Sequence, residues 1–437
     1  MKRRDFIKKA GLASAAAFAV PYILPSGSLF ARTGNRKVNH VVFCLFAGGI
    51  RNIESVQQGE SNLMVNMLND VSGGFTAQDG IDGVLPTSPI GGSRLQDFGT
   101  LYKEFRFAAG STGHYSGHVT AMTGRYQDSS LNLRASPPYP TIFEYYRKHN
   151  DSSITEDATK AWWISDSLGP YPLLNYSTYA GYGADYGANY IQATSLINNE
   201  GYDAIGLPKT FSTANDALAA ELKGFCDGTF GSQFNASQTG VINTPENKVI
   251  IKQFIDEMFQ DGLAGGGYNS WGFGNHMNGD LRNVFYAEEV LKKFQPELTV
   301  LNMQDVDVCH SNFTGYCNNL RRADWGVAHL WNTIQSTPGL ADDTVLICVP
   351  EHGRNLEANT VVDSYGRPAF DHTNDSTSRE IFSLVCGPSS VINQGNVVTS
   401  VEGESIDVAP TIANLLGFDV DIPTNMMTGS VLNSALV

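Results

Sequence analysis

Basic residues are scarce in this chain of 437: 29 Lys and Arg stand against 44 Asp and Glu, for a formal net charge of −15. Nucleic acid and anionic membrane surfaces attract basic patches, so this balance argues against either as a partner. Charged residues of both signs make up only 17% of the chain, while 42% is hydrophobic, enough to bury a large core. No fixed-period repeat is present. The apolar run at residues 10–24 is shorter than the ~20 residues a membrane span needs, and Pro21 and Pro25 interrupt it. Cysteine is sparse, with six residues. An even count is compatible with disulfides in an oxidising compartment. Cys44, Cys348 and Cys386 sit in apolar strand-like runs and read as buried thiols, whereas Cys309 and Cys317 could pair across a short loop.

The first residues read as a targeting signal. Met1 to Lys9 is a charged region with the pair Arg3-Arg4, residues 10–24 are small and apolar, and Ser28-Leu29-Phe30-Ala31 could end in a cleavage site. This looks like a twin-arginine export signal over residues 1–31, giving a periplasmic or secreted protein; an N-terminal membrane anchor is the alternative. Removing it takes away five basic groups and Asp5, so the mature chain is more acidic still, with no membrane span.

Val41 to Phe46 is a continuous apolar run ending in Ala47-Gly48-Gly49, the pattern of a central strand and a glycine turn. Phe105–Ala109, Leu298–Met303, Thr344–Val349 and Ile381–Val385 read as further strands. Val119–Met122, residues 319–335 and Asp407–Leu416 read as helices. Strands alternating with helices predict an α/β fold with a mainly parallel sheet. The Tyr-, Gly- and Asn-rich middle, residues 165–290, reads as an insertion or cap. The 44 glycines imply many tight turns.

Three segments pair an imidazole with carboxylates just after, or near, a predicted strand. They are Asp305-Val306-Asp307-Val308-Cys309-His310, Glu351-His352-Gly353-Arg354 and Asp371-His372-Thr373. Neutral imidazole and carboxylate oxygen are ligands for zinc and similar divalent cations. His114 and His118, four apart on one helical face, could be ligands or polar caps.

In their order these segments resemble the alkaline phosphatase and sulfatase superfamily, over roughly residues 38–130 and 295–435. The pattern is an Asp-plus-His segment, a helix containing Asp324, a strand ending in Glu351-His352-Gly353, then His372-Thr373 before a strand closed by Gly387-Pro388. It ends on Ser405-Ile406-Asp407-Val408-Ala409-Pro410-Thr411 and Gly429-Ser430-Val431-Leu432. The resemblance implies a three-layer α/β/α sandwich over 38–437 and hydrolysis of phosphate or sulfate esters at a site for one or two metals, zinc first, with calcium or manganese as alternatives. By position, Asp305 or Asp307, His310 and His372 would hold one metal, and Glu351 and His352 would contribute to the second; Asp307 is preferred and Asp305 stays open.

Two places depart from that pattern. The first strand of the superfamily ends in an Asp ligand, but this chain has Ala47-Gly48-Gly49. The nucleophile position falls on His114, and the sulfatase Cys/Ser-x-Pro-x-Arg motif is replaced by His114-Tyr115-Ser116-Gly117-His118. Three repairs are open: attack by Thr112 or Ser116 with help from metal or His118, a role for His114 as nucleophile or ligand, or attack by water. Arg51 and Arg354 have the guanidinium geometry to clamp an ester's oxygens. Asp371 could orient His372 or the metal. Asp324 and Asp343 read as structural, and Trp325 and Trp331 as core. The expected partner is a small or polymer-borne anionic ester. A binding or surface-assembly protein that keeps the fold and part of the metal site without hydrolysis is the alternative.

Overall fold

The computed structural model describes residues 35–57, 62–69, 85–127, 136–150, 158–165, 174–192, 241, 243–263, 271–273, 277–373 and 375–437. Residues 1–31, read above as an export signal, Cys226 and the Gly265–Gly267 run lie outside them. Eight strands form one sheet: β1 (His40–Phe46), β2 (Gly99–Arg106), β3 (Ala161–Ser165), β4 (Asn189–Gln192), β5 (Leu298–Met303), β6 (Thr344–Pro350), β7 (Glu380–Cys386) and β8 (Asn396–Glu404). Their order is β4-β3-β5-β1-β6-β7-β2-β8, and β7 alone runs against its neighbours.

Among the described residues six helices join the sheet: α1 (His114–Thr123), α2 (Ile142–Asn150), α3 (Pro245–Leu263), α4 (Gly279–Phe294), α5 (Phe313–Ser336) and α6 (Val408–Leu416). They divide between the two faces of the sheet. Val42, Cys44 and Phe46 of β1 pack with Phe254 of α3, Val284 of α4 and Leu320 of α5. Val41, Phe43 and Leu45 pack with Val119 of α1, Phe143 of α2 and Ile412 of α6. The chain is thus a three-layer α/β/α sandwich. Successive side chains of a strand alternate between faces, so a strand covered on both sides must be apolar throughout. That is why β1, β5 and β6 were legible. Each aliphatic side chain buried there contributes roughly 1.5–3 kcal/mol.

The strand expected at Phe105–Ala109 lies earlier, at Gly99–Arg106. A register shift between Tyr102 and Phe105 puts the apolar alternation out of step, so the pattern picks up only the strand's end. Helix α1 is longer than its expected span of 119–122. β3, β4 and β8 were not anticipated. β8 is an edge strand with mostly exposed or half-buried residues, and β3 and β4 are too short for periodicity to identify. Within the middle stretch 165–290, β4 extends the main sheet and α4 packs in its core.

Asp324 is structural: its carboxylate accepts from Asn66 N at 2.9 Å and Met67 N at 2.8 Å, fixing that loop to α5. Asp343 accepts from Asn39 N at 2.8 Å, tying the starts of β6 and β1 together. Trp325 and Trp331 are buried. Cys44, Cys309, Cys317, Cys348 and Cys386 are buried free thiols, so Cys309 and Cys317 are not paired. No helix among the described residues is long and apolar enough to cross a membrane.

Candidate metal centre

Strands β1, β5 and β6 are parallel neighbours, so their carboxyl ends open on one edge, where ligands of such sheets bind. There β1 runs into Ala47-Gly48-Gly49, β5 into a 3-10 turn at Asp305–His310, and β6 into Glu351 and His352. Gly48 and Gly49 have φ of +106° and +76°, a region other residues rarely adopt. A Cβ on Gly48 would sit 2.6 Å from the Cβ of Asp307, and one on Gly49 would overlap the His352 ring. The two glycines are therefore the floor on which Asp307 and His352 rest.

Two groups of side chains converge above that floor. His114, Asp307, His310 and His372 each bring one ligand atom to within 4.8 Å of the others, and His114, Glu351 and His352 do the same. His310 Nε2 is 3.1 Å from Asp307 Oδ1, and His114 Nε2 is 3.3 Å from the same oxygen. His352 Nε2 is 3.2 Å from Glu351 Oε1, and His114 Nδ1 is 2.6 Å from it. Gly48 N–H also donates to Glu351 Oε1.

The outer contacts set the tautomers. His372 Nδ1 donates to Thr112 O at 2.6 Å, and His352 Nδ1 donates to Gly353 O at 2.7 Å. Each ring is then left with Nε2 as a lone-pair donor, the usual arrangement around a metal. His352 Nε2 is fully buried, and with the proton on Nδ1 it has no hydrogen to give Glu351 Oε1 3.2 Å away, so no hydrogen bond forms there. An unpaired buried nitrogen is costly, and a cation would satisfy it.

Electrostatics favours the ligand-ready forms. Burial lowers the pKa of His352 and His310, and burial with the neighbouring His352 and Arg354 lowers His372 to about 2. Burial alone would raise Glu351, but His118, His114 and His352 hold it well below the carboxylate range. Asp307 is likewise held low, against burial, by His114, Arg354 and His310. Three imidazoles are neutral and two carboxylates ionised, the states that bind cations. His114 differs: burial lowers it, but Glu351 and Asp307 outweigh burial and hold it at about 10.

The residue types and spacings fit a divalent cation. Two ligands on a tetrahedral cation with bonds of about 2.0–2.1 Å stand about 3.3 Å apart. The contacts at 3.1, 3.2 and 3.3 Å match that edge, and the 2.6 Å contact would have to open.

The remaining sequence candidates are placed otherwise. Asp305 Oδ2 accepts from Asp280 N at 2.9 Å at the start of α4, and Asp305 is absent from both groups. Thr112 Oγ1 donates to His372 O, so this hydroxyl braces a candidate ligand. Ser116 Oγ lies 2.9 Å from Ser111 Oγ and is buried. His118 Nδ1 is 2.5 Å from Glu351 Oε2, and its Nε2 is 2.7 Å from Asn302 Oδ1, so it props Glu351. Arg51 is buried, with Nε 3.4 Å from Glu54 and its guanidinium 3.8 Å from the Phe370 ring centre. Arg354, also buried, donates to Gly48 O, to Phe370 O at 2.9 Å and to Asp307 Oδ1 at 2.9 Å. Its guanidinium braces the protein. Asp371 sits 3.5 Å from His310 Nδ1 and so lies against His310.

Two contributors were not read from the sequence. Asn359 donates to His310 O at 3.0 Å and Asp371 Oδ1 at 3.1 Å. It comes from a loop with no pattern to single it out. Asn302 had a signal, as a polar residue in the buried strand Leu298–Met303.

No family model and no curated protein matches the chain. Among solved structures it is similar to a protein in the alkaline phosphatase superfamily from Vibrio parahaemolyticus, at 13% identity and TM-score 0.46, over 95% of this chain and 75% of that one. It is similar to wild type alkaline phosphatase PafA at 10% identity and TM-score 0.48, over 92% of this chain and all of that one. It is also similar to the lipoteichoic acid synthase LtaP from Listeria monocytogenes, at 12% identity and TM-score 0.44, over 93% of this chain and 78% of that one. The likeness to the alkaline phosphatase superfamily is thus one to solved structures at low identity.

Proposed function

We propose that this chain is an exported, metal-dependent hydrolase of phosphoric or related sulfuric esters, with Asp307, His310, His372 and His114 around one cation and Glu351 and His352 beside it. Zinc suits this nitrogen-rich set best. The observation that carries the reading is the convergence of these six side chains at one edge of the sheet. A divalent cation there supplies Lewis-acid chemistry, lowering the pKa of water and polarising the ester oxygen. The chain's part is to hold the ligands in their binding tautomers, through Thr112 O and Gly353 O, and to brace Asp307 with Arg354. Thr112 and Ser116 have their hydroxyls directed at His372 O and Ser111, which favours water as the attacking group. The substrate would be a small or polymer-borne anionic ester. Export rests on the twin arginines of the first 31 residues.

A second reading, a binding protein without turnover, is favoured by one feature. Four protein ligands would close a tetrahedral cation, and closed sites are the structural kind. Turnover of chromogenic phosphate mono- and diesters and a sulfate ester by zinc-loaded protein separates the two. The hydrolase reading expects metal-dependent turnover that a His310→Ala/His372→Ala double variant loses. Metal uptake with no turnover on any ester would leave the binding protein.

A further inference from the structure

We infer that His114 bridges two cations through its imidazole ring, one nitrogen to each group. This rests on the metal-centre reading above and deepens it. The two groups of candidate ligands share one residue, His114, and its two nitrogens face different carboxylates. Nε2 looks toward Asp307 at 3.3 Å, where His310 and His372 converge. Nδ1 looks toward Glu351 at 2.6 Å, where His352 stands.

The contrast with the neighbouring rings decides the point. His352 and His372 each commit Nδ1 to a backbone carbonyl and keep one nitrogen for the centre. His114 instead turns each ring nitrogen to a carboxylate of the centre. The second position has its own evidence, since His352 Nε2 is buried without a hydrogen-bond partner beside Glu351. A single cation in the first group would use Nε2 and leave Glu351 as a mere acceptor for Nδ1–H. That arrangement satisfies His114 but leaves the His352 Nε2 lone pair facing the Glu351 carboxylate at 3.2 Å with nothing between them.

Bridging uses both nitrogens, so the ring gives up its last N–H proton to solvent as the second cation enters; no electron moves. Two cations across an imidazole stand further apart than the about 3.5–4 Å of two-metal hydrolases. They could not clamp one ester symmetrically. The first group would face the ester, and the second would fix His114 and Glu351.

Copper tests this, because imidazole suits it and two Cu²⁺ ions joined by an imidazolate couple magnetically. The purified full chain is stripped with chelator, loaded with Cu²⁺ alone, and measured for copper content and electron spin. The expected result is two copper ions per chain with loss of most of the doublet signal, and return of a signal equal to the copper content in His114→Gln. Two ions with a full signal, or one ion per chain, would overturn the bridge in the wild type, without recourse to the variant. One ion with zinc-dependent ester turnover intact would overturn the bridge and leave the hydrolase reading standing. No copper uptake at all would overturn both.

Discussion

Thr112 holds His372 twice, through its carbonyl to Nδ1 and through its hydroxyl to the His372 carbonyl. Residues that orient a metal ligand typically change metal affinity 10–100-fold when removed, whereas loss of a nucleophile abolishes turnover. Thr112→Val keeps the carbonyl and the shape and deletes only the hydroxyl. Zinc affinity should therefore fall by about tenfold or less, with turnover retained at saturating zinc. Titration against a competing chelator, alongside initial rates, checks this; complete loss of turnover at saturating zinc would restore Thr112 as the attacking group. The residues that gather in the two groups are among those the sequence singles out, because imidazole and carboxylate are the usual donors to divalent cations. Their direction was not legible there. Asp305 and Asp307 are two residues apart, yet one meets the first backbone N–H groups of α4 and the other meets His310. That choice is made by the 3-10 turn and by α4, which the pattern did not reveal. Arg354 is the same kind of case, since only the packed structure shows its donors engaged by carbonyls of Gly48 and Phe370.

Helix α1 carries His114 and His118 to the centre, and what sets its height above β6 is Gly117. A Cβ there would lie 2.8 Å from the Cβ of Glu351 and 2.9 Å from its carbonyl oxygen. In an ordinary helix interior, Gly→Ala gains about 1 kcal/mol. Here the sign should reverse. Gly117→Ala has to push α1 off the strand end, at a cost of about 1–3 kcal/mol for overpacking, and it should move His114 away from Glu351 and Asp307. Urea unfolding of the chelator-treated variant should show the loss, and zinc affinity should fall with it. A variant more stable than wild type would mean that α1 has slack at this contact. The same contact explains why the helix was under-read. His114-Tyr115-Ser116-Gly117-His118 has weak intrinsic helix propensity, so tertiary contacts supply what the sequence does not. Elements buried on both sides, such as β5, were read at their true bounds because burial imposes a continuous apolar run. Elements whose polarity is split by a bulge, an edge or short length, such as β2, β8 and β4, carry no such imprint.

The candidate ligands come from the amino end of α1, the turn after β5, the end of β6 and the segment carrying His372, so a bound cation ties remote parts of the chain together. Any ligand that binds only the folded state stabilises it by mass action, by about 2.7 kcal/mol at a hundredfold excess over Kd. The pH dependence of that increment tests His114 directly. In the metal-free protein its proton is held by Glu351 and Asp307, with a pKa of about 10 against an ordinary value of 6.5. A histidine raised on folding adds stability that is fully present below the ordinary value and is lost as pH climbs through the folded one. The contribution of His114 to the metal-free chain should therefore decline from pH 6.5 toward about 10. Cation binding must displace the same proton, so zinc affinity should grow over that interval. Melting curves with chelator and with a fixed excess of zinc, taken from near-neutral to alkaline pH, should show the two Tm values moving apart. The His310→Ala/His372→Ala variant should keep at most the smaller zinc increment of the His114, Glu351 and His352 group. A wild-type increment that stays constant across the interval would exclude His114 from the ligands, because a ring that keeps its proton cannot also hold a cation at the nitrogen that carries it.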